Sequence, residues 1–252
     1  MDKIHFNKLW YIGRLKCLEG KLKQLPDIRV GKHGQNKVLR YTENGKTKEI
    51  NSNSPKWAHI NNSHQIKLRY EEEYKRLLSE WNLYFDDCYE NVKSLYVVKP
   101  LSTRFTTEFW NQLVDDECPA EKTGNFYYDN HRFRSRIEMQ EAIVLRSMGL
   151  TYKYDSCVYR TDVIGFTDFS ILLEEFGCTV FLEVMGDLET EDNIIRNTRK
   201  FRAYAENGYL IGRDWFIQGS TKHYMPNYDN MREQLVYIVN TIANLCVMKK
   251  SF

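Results

Sequence analysis

Three carboxylates in the second half of the chain stand out: Glu138 on an expected helix, Asp168 in a strand between Thr167 and Phe169, and Glu183 inside the apolar run Val-Phe-Leu-Glu-Val-Met, the last two where an ionised group is costly to keep. A carboxylate amid apolar neighbours needs a compensating partner. A hard divalent cation is one such partner, since Mg²⁺ takes oxygen ligands, keeps several waters and is held by only one or two carboxylates. Carboxylates converging at the ends of adjacent strands are what divalent-metal phosphodiester chemistry requires, because the ion polarises phosphate and activates water. A cation is also at hand. Lys200 falls on one helical face with Asn193, Asn197 and Tyr204, all spaced by three or four residues.

The surrounding pattern predicts the elements that would position these groups. Ser135 to Met148 reads as a helix closed by Gly149, and it carries Glu138. Strands are expected at 151–154, 156–159, 166–173 and 179–184, with Glu174 to Gly177 as a tight turn between the last two. Asp168 and Glu183 are 15 residues apart, so two antiparallel strands would bring both to one end of a sheet. A helix over 190–206, a strand over 215–218 and a closing helix over 230–248 complete this half. Gln218, on that last strand, is either a phosphate contact or a solvent-facing strand residue.

The front of the chain reads differently. Residues 4–24 are predicted helical from Ile4 onwards and end at Leu25-Pro26. Alternating stretches near Ile28, Lys37 to Tyr41 and Thr47 to Ile50, separated by Gly34-Gln35-Asn36 and Glu43-Asn44-Gly45-Lys46, predict a three-stranded meander. A long helix follows from about Ile66 to Val92. The expected division is a small α+β domain over 1–95 and a mixed α/β domain over 96–252.

The order helix with Glu, strand with Asp, turn, strand with Glu, helix resembles the PD-(D/E)XK nuclease superfamily, the restriction-endonuclease-like fold, over about residues 132–221. The resemblance is closest to an uncharacterised bacterial and phage branch. The residues that carry it are Arg134, Ser135 and Glu138; Asp168 and Phe169; Glu183 and Gly186; and Lys200 and Tyr204, followed by Asn207-Gly208. It departs from the pattern at Thr167, where a proline is usual, and at Met185, where the superfamily carries its lysine. The resemblance implies a mixed central sheet flanked by helices and a Mg²⁺- or Mn²⁺-dependent endonuclease leaving a 5′-phosphate and a 3′-hydroxyl. It also implies that Asp168 and Glu183 hold metal, Glu138 holds it directly or through water, and Lys200 replaces the missing lysine to orient or deprotonate water. DNA ranks ahead of RNA as substrate. A catalytically silent nucleic-acid-binding or assembly module is the alternative, favoured by Met185 and opposed by Lys200, and on either reading the chain is expected to work as a homodimer or in a larger nucleoprotein assembly.

Charge distribution bears on the partner. Net charge is only +2, but residues 1–50 hold 12 Lys/Arg against 5 Asp/Glu, and residues 101–252 hold 17 against 22. Lys32, Lys37, Arg40, Lys46 and Lys48, together with Arg132, Arg134 and Tyr204, are the expected nucleic-acid contacts. Gripping by the meander would be salt-sensitive and blind to sequence; a solvated lysine-rich face is the alternative. Six scattered cysteines with no C-x-x-C pair argue against a zinc knuckle or a disulfide framework. No stretch approaches the roughly 20 apolar residues of a spanning helix. Met1 to Phe6 does not open a signal peptide, so a cytoplasmic location is expected.

Overall fold

The computed structural model describes residues 5–34, 36–43, 45–160, 164–186, 189–221 and 223–250. Ile4 and the turn residues Gln35 and Asn44 lie outside them. The chain is mixed α/β and divides into two compact units, Tyr11–Tyr96 and a larger one comprising Met1–Trp10 and Val97–Phe252, with the boundary inside the first helix.

That helix, α1 (Lys8–Gln24), starts later than its apolar spacing suggests. The cause is local: the Asn7 side chain accepts the Trp10 N–H at 2.9 Å and caps it. Strands β1 (Ile28–His33), β2 (Asn36–Glu43) and β3 (Lys46–Asn51) form the expected antiparallel meander, in the order β1-β2-β3. Its turns use Gly34 and Gly45 at positive φ. Helix α2 (Trp57–Tyr84) runs from well before Ile66 and stops short of Val92; a five-residue helix, α3 (Tyr89–Lys93), follows separately. Ile60 and His64, one turn apart, are buried and hold down the polar first turns that the sequence pattern misses. The break is set by aromatic packing, with Phe85 extended against Trp81 and the Trp81 indole donating to the Asp87 carbonyl at 2.5 Å.

The larger unit contains β4 (Tyr96–Val98, shared with the boundary), α4 (Thr107–Gln112), the hairpin β5 (Phe126–Tyr128) and β6 (His131–Phe133), then α5 (Arg136–Ser147). Next come β7 (Thr151–Arg160), β8 (Ile164–Leu173), β9 (Cys178–Met185), α6 (Glu191–Glu206), β10 (Trp215–Gly219), α7 (Tyr228–Cys246) and β11 (Val247–Lys249). The central sheet has four strands in the order β10-β9-β8-β7. Pairing is antiparallel except between β9 and β10, which α6 connects in parallel. The two strands expected at 151–154 and 156–159 are one continuous strand, β7, with Asp155 at φ 49° in its middle. Aspartate tolerates the left-handed region better than most residues, so the chain passes through without ending the strand.

On one side of this sheet Phe181 and Met185 pack with Phe105, Trp110, Tyr204 and Trp215. Elsewhere in the unit α5 packs against α7, whose buried stripe includes Met231, Leu235, Ile238 and Ile242. Within α5, Glu141 is almost fully buried and burial pushes its carboxyl up to about 8. Its unfolded value is near 4.5, so between about pH 4.5 and 8 the folded chain binds the extra proton. Each pH unit of rise in that window therefore weakens folding by up to about 1.4 kcal/mol. Glu141→Gln, which mimics the protonated acid, should lose this slope. In thermal melts from pH 6 to pH 8 the parent should fall several degrees further than the variant, and parallel curves would show Glu141 ionised in the fold.

Candidate active site

The β8/β9 ladder runs from Leu173 and Cys178 to Phe169 and Leu182 and stops there. Past that point the Asp168 side chain stands in for backbone, its Oδ2 accepting the Val184 N–H at 2.7 Å. A buried N–H must find an acceptor, so the aspartate is tied to the place where the strands part. Its other oxygen, Oδ1, accepts from Arg134 Nη2 at 2.7 Å.

Glu183 is one residue beyond the ladder on β9. Strand alternation puts it on the same side as Phe181 and Met185, facing α6. Tyr204, fully buried and stacked on Trp215 at 4.2 Å, donates its hydroxyl to Glu183 Oε1 at 2.5 Å, and Lys200 donates to Oε2. Burial pushes the Glu183 carboxyl up to about 8. The Lys200 ammonium and the two hydrogen bonds pull the other way, while the nearby Asp168 charge adds to the rise. Burial also lowers the Lys200 amine, but the Glu183 and Asp168 charges outweigh it and leave that amine above its ordinary value.

Glu138 arrives through helix capping. Ser135 caps α5 by accepting the Glu138 N–H at 3.2 Å, and the Glu138 carboxylate reaches back to the Arg134 N–H at 3.2 Å. Its Oε2 also takes the Tyr154 hydroxyl at 2.5 Å. Desolvation and the Asp168 charge raise its pKa, against the pull of Tyr154 and Arg134.

A fourth carboxylate, absent from the sequence reading, completes the cluster. In the β7/β8 register Tyr154 faces Phe169 and Ser156 faces Thr167, which sets Asp155 opposite Asp168. Like charges directly opposed across a sheet repel, and Arg134 answers them: its Nη2 is 2.7 Å from Oδ1 of each. Asp155 has no exposed surface, and neither of its side-chain oxygens has an aligned hydrogen bond among the described residues. Burial lifts its carboxyl to about 7, opposed by Arg134.

Arg134, Glu138, Asp168, Glu183 and Lys200 line one cleft of about 590 Å³, with Asn193, Arg196 and Asn197 of α6 along its wall. Among the described residues no group of three or more His, Cys, Asp or Glu side chains is arranged to hold a metal ion. The donor chemistry nonetheless fits a divalent cation held by two carboxylates and water, the arrangement magnesium prefers. Asp168 and Glu183 already accept from Arg134 and Lys200, but each carboxylate oxygen keeps a second lone pair. Asp168 raises both neighbouring glutamates, a local excess of negative charge that a cation would relieve.

Other expected contacts sit elsewhere. Tyr204 is a correction: buried as it is, it cannot touch nucleic acid and instead holds Glu183. Arg132 is bound to the Gly124 carbonyl at 2.9 Å and lies outside the cleft lining. Gln218 is neither a cleft residue nor a solvent-facing one, being buried with its Oε1 unmatched among the described residues. Met185 packs in the aromatic core and also borders the cleft.

On the meander, Arg40 is paired with Glu49 at 2.7 Å and Lys48 with Glu43. Lys46 is exposed. Lys32 and Lys37 differ. They are exposed and directly opposed across β1 and β2, with no acidic partner among the described residues. Two like charges in that relation cost stability unless an anion joins them.

No protein-family model matches the chain, and neither the curated proteins nor the solved structures contain a match to it. No helix among the described residues is long and apolar enough to cross a membrane.

Proposed function

We propose that the chain is a divalent-metal-dependent endonuclease of restriction-endonuclease-like architecture that hydrolyses phosphodiester bonds in DNA. The observation that carries this reading is the convergence of Asp168, Glu183 and Glu138 with the cations Arg134 and Lys200 on one cleft. Asp168 and Glu183 would hold Mg²⁺ or Mn²⁺, with Glu138 joining directly or through water, Tyr154 and the Arg134 N–H both engaging its Oε2. A bound ion of this kind polarises the phosphate, favours ionisation of the attacking water and stabilises the leaving oxygen. Arg134, partly exposed at the cleft, is placed to meet a phosphate oxygen. The Lys200 amine stands above its ordinary value, so its role is to orient water or phosphate and to draw the Glu183 pKa down rather than to act as a base. Tyr204 fixes the Glu183 rotamer from beneath.

A second reading has one observation in its favour. Met185 fills core space where the superfamily carries lysine, and the two carboxylates are already neutralised by Arg134 and Lys200. A nucleic-acid-binding module without catalysis accounts for both facts. The purified chain, incubated with Mg²⁺ or Mn²⁺ and labelled single-stranded, duplex and branched DNA and RNA, decides between them. Cleavage of DNA supports the first reading, cleavage of RNA alone moves the substrate, and metal-independent binding without cleavage supports the second.

The meander supports a separate expectation. Replacing Lys32 and Lys37 together by Gln should weaken DNA binding about equally for all sequences and reduce the slope of log affinity against log salt by about two. The same pair should stabilise the fold by a few tenths of a kcal/mol through removal of repulsion. An unchanged salt slope would leave the pair as a solvated face.

A further inference from the structure

We infer that Asp155 is a positioning residue that anchors Arg134 and so leaves Asp168 available to a divalent cation. The inference rests on the metal-dependent reading above and adds a residue to it. Arg134 Nη2 stands equidistant from Asp155 and Asp168, at 2.7 Å from each. The two carboxylates are not equivalent. Asp168 lines the cleft, whereas Asp155 has no exposed surface and does not line it. Asp155 therefore cannot meet a ligand in the cleft, and among the described residues its cation partners are Arg134, at 2.7 Å, and Lys122, at 3.8 Å.

Its backbone is committed to the same place. The Asp155 carbonyl accepts the N–H groups of Glu117 and Cys118, both at 3.1 Å, and its φ of 49° turns the strand there. A residue held at an uncommon backbone angle beside a cluster of charges is a place where strain serves geometry. The consequence is a competition. Without Asp155, Arg134 has Asp168 as its one remaining carboxylate partner on these strands, and the guanidinium then contends with any cation for the same oxygens. With Asp155 present, Arg134 keeps a counter-ion when Asp168 turns to metal.

Mn²⁺ affinity, read by calorimetry without substrate, tests this on five proteins: parent, Asp155→Asn, Arg134→Ala, the double variant, and Asp168→Asn as the control for the metal site. Asn tolerates the left-handed backbone as Asp does, and Asp155→Gly, which relaxes it, is the second variant should the first not fold. Asp155→Asn should weaken Mn²⁺ binding about tenfold in the parent but no more than about twofold when Arg134 is already Ala, the residue acting through the arginine. Arg134→Ala alone should tighten it. Equal losses in both backgrounds would show only a missing negative charge and overturn the inference while the metal site stands. A parent that binds no Mn²⁺ overturns both this inference and the metal-dependent reading; binding that Asp168→Asn abolishes, with the cycle additive, overturns this inference alone.

Discussion

Asp168→Asn should abolish Mg²⁺-dependent cleavage, with residual turnover at or below about 10⁻³ of the parent, comparable to removing a principal source of charge stabilisation. The amide keeps the size of the side chain and an oxygen for the Val184 N–H, so the strands still part at the same point. What it loses is the charge that would hold metal and that now balances Arg134. Asp168→Ala is the poorer variant, because it would also leave a buried N–H without its acceptor, at a cost of about 1–3 kcal/mol. Cleavage assays on labelled DNA with melting curves run alongside check the expectation. A folded Asp168→Asn protein that cuts at the parent rate would remove the proposed site.

Lys200→Ala carries the second large effect. The amine donates to Glu183, and the glutamate already has its pKa pushed up to about 8. Loss of that ammonium removes the chief influence holding the carboxyl down, so Glu183 in the variant takes up a proton more readily at neutral pH. The rate should fall by about 10²-fold or more, and the loss should shrink as pH is raised and Glu183 regains its charge. A profile of rate against pH from 6 to 9 tests both statements. A variant that matches the parent at every pH would leave Lys200 with no part in the chemistry.

Much of this cleft could be read before the fold was known, and the reasons are local. Asp168 and Glu183 interrupt apolar strands, and Lys200 shares a helical face with the residue that holds Glu183, so period and spacing alone bring them together. Glu138 was marked by its place three residues after Ser135 in the resemblance, and that spacing proves to be a helix cap. Asp155 was missed because Asp155-Ser156 looks like a break between two strands; its importance comes from register with Asp168, which no window along one strand reveals. The hairpin of β5 and β6 was missed as well, although Asp129-Asn130, both at positive φ, is sequence chemistry suited to a tight turn. The start of α2 was hidden for the opposite reason. Asn, Ser and His favour no helix, and burial of Ile60 and His64 settles the matter. The misplacement of Tyr204 as a ligand contact reflects a limit of helical wheels, which show neighbours but not which of them lie inside.

The topology also bears on the order in which the cleft is built. Strands β7, β8 and β9 follow one another as antiparallel neighbours, with β7 ending at Arg160, β8 starting at Ile164, and only the turn through Glu174 to Gly177 before β9. Closing such short loops costs little chain entropy, whereas the parallel pairing of β10 must wait for the whole of α6 to be spanned. Asp155, Asp168 and Glu183 are thus gathered early by neighbouring segments, before the last strand docks. For an interval of folding the acidic groups are assembled while Lys200 and Tyr204, on the crossover, are not yet seated against them. Arg134, which precedes all three strands in the chain, is the cation already at hand for Asp155 and Asp168 at that stage, so the acidic cluster is balanced in two steps, first from its N-terminal side and then from the crossover helix.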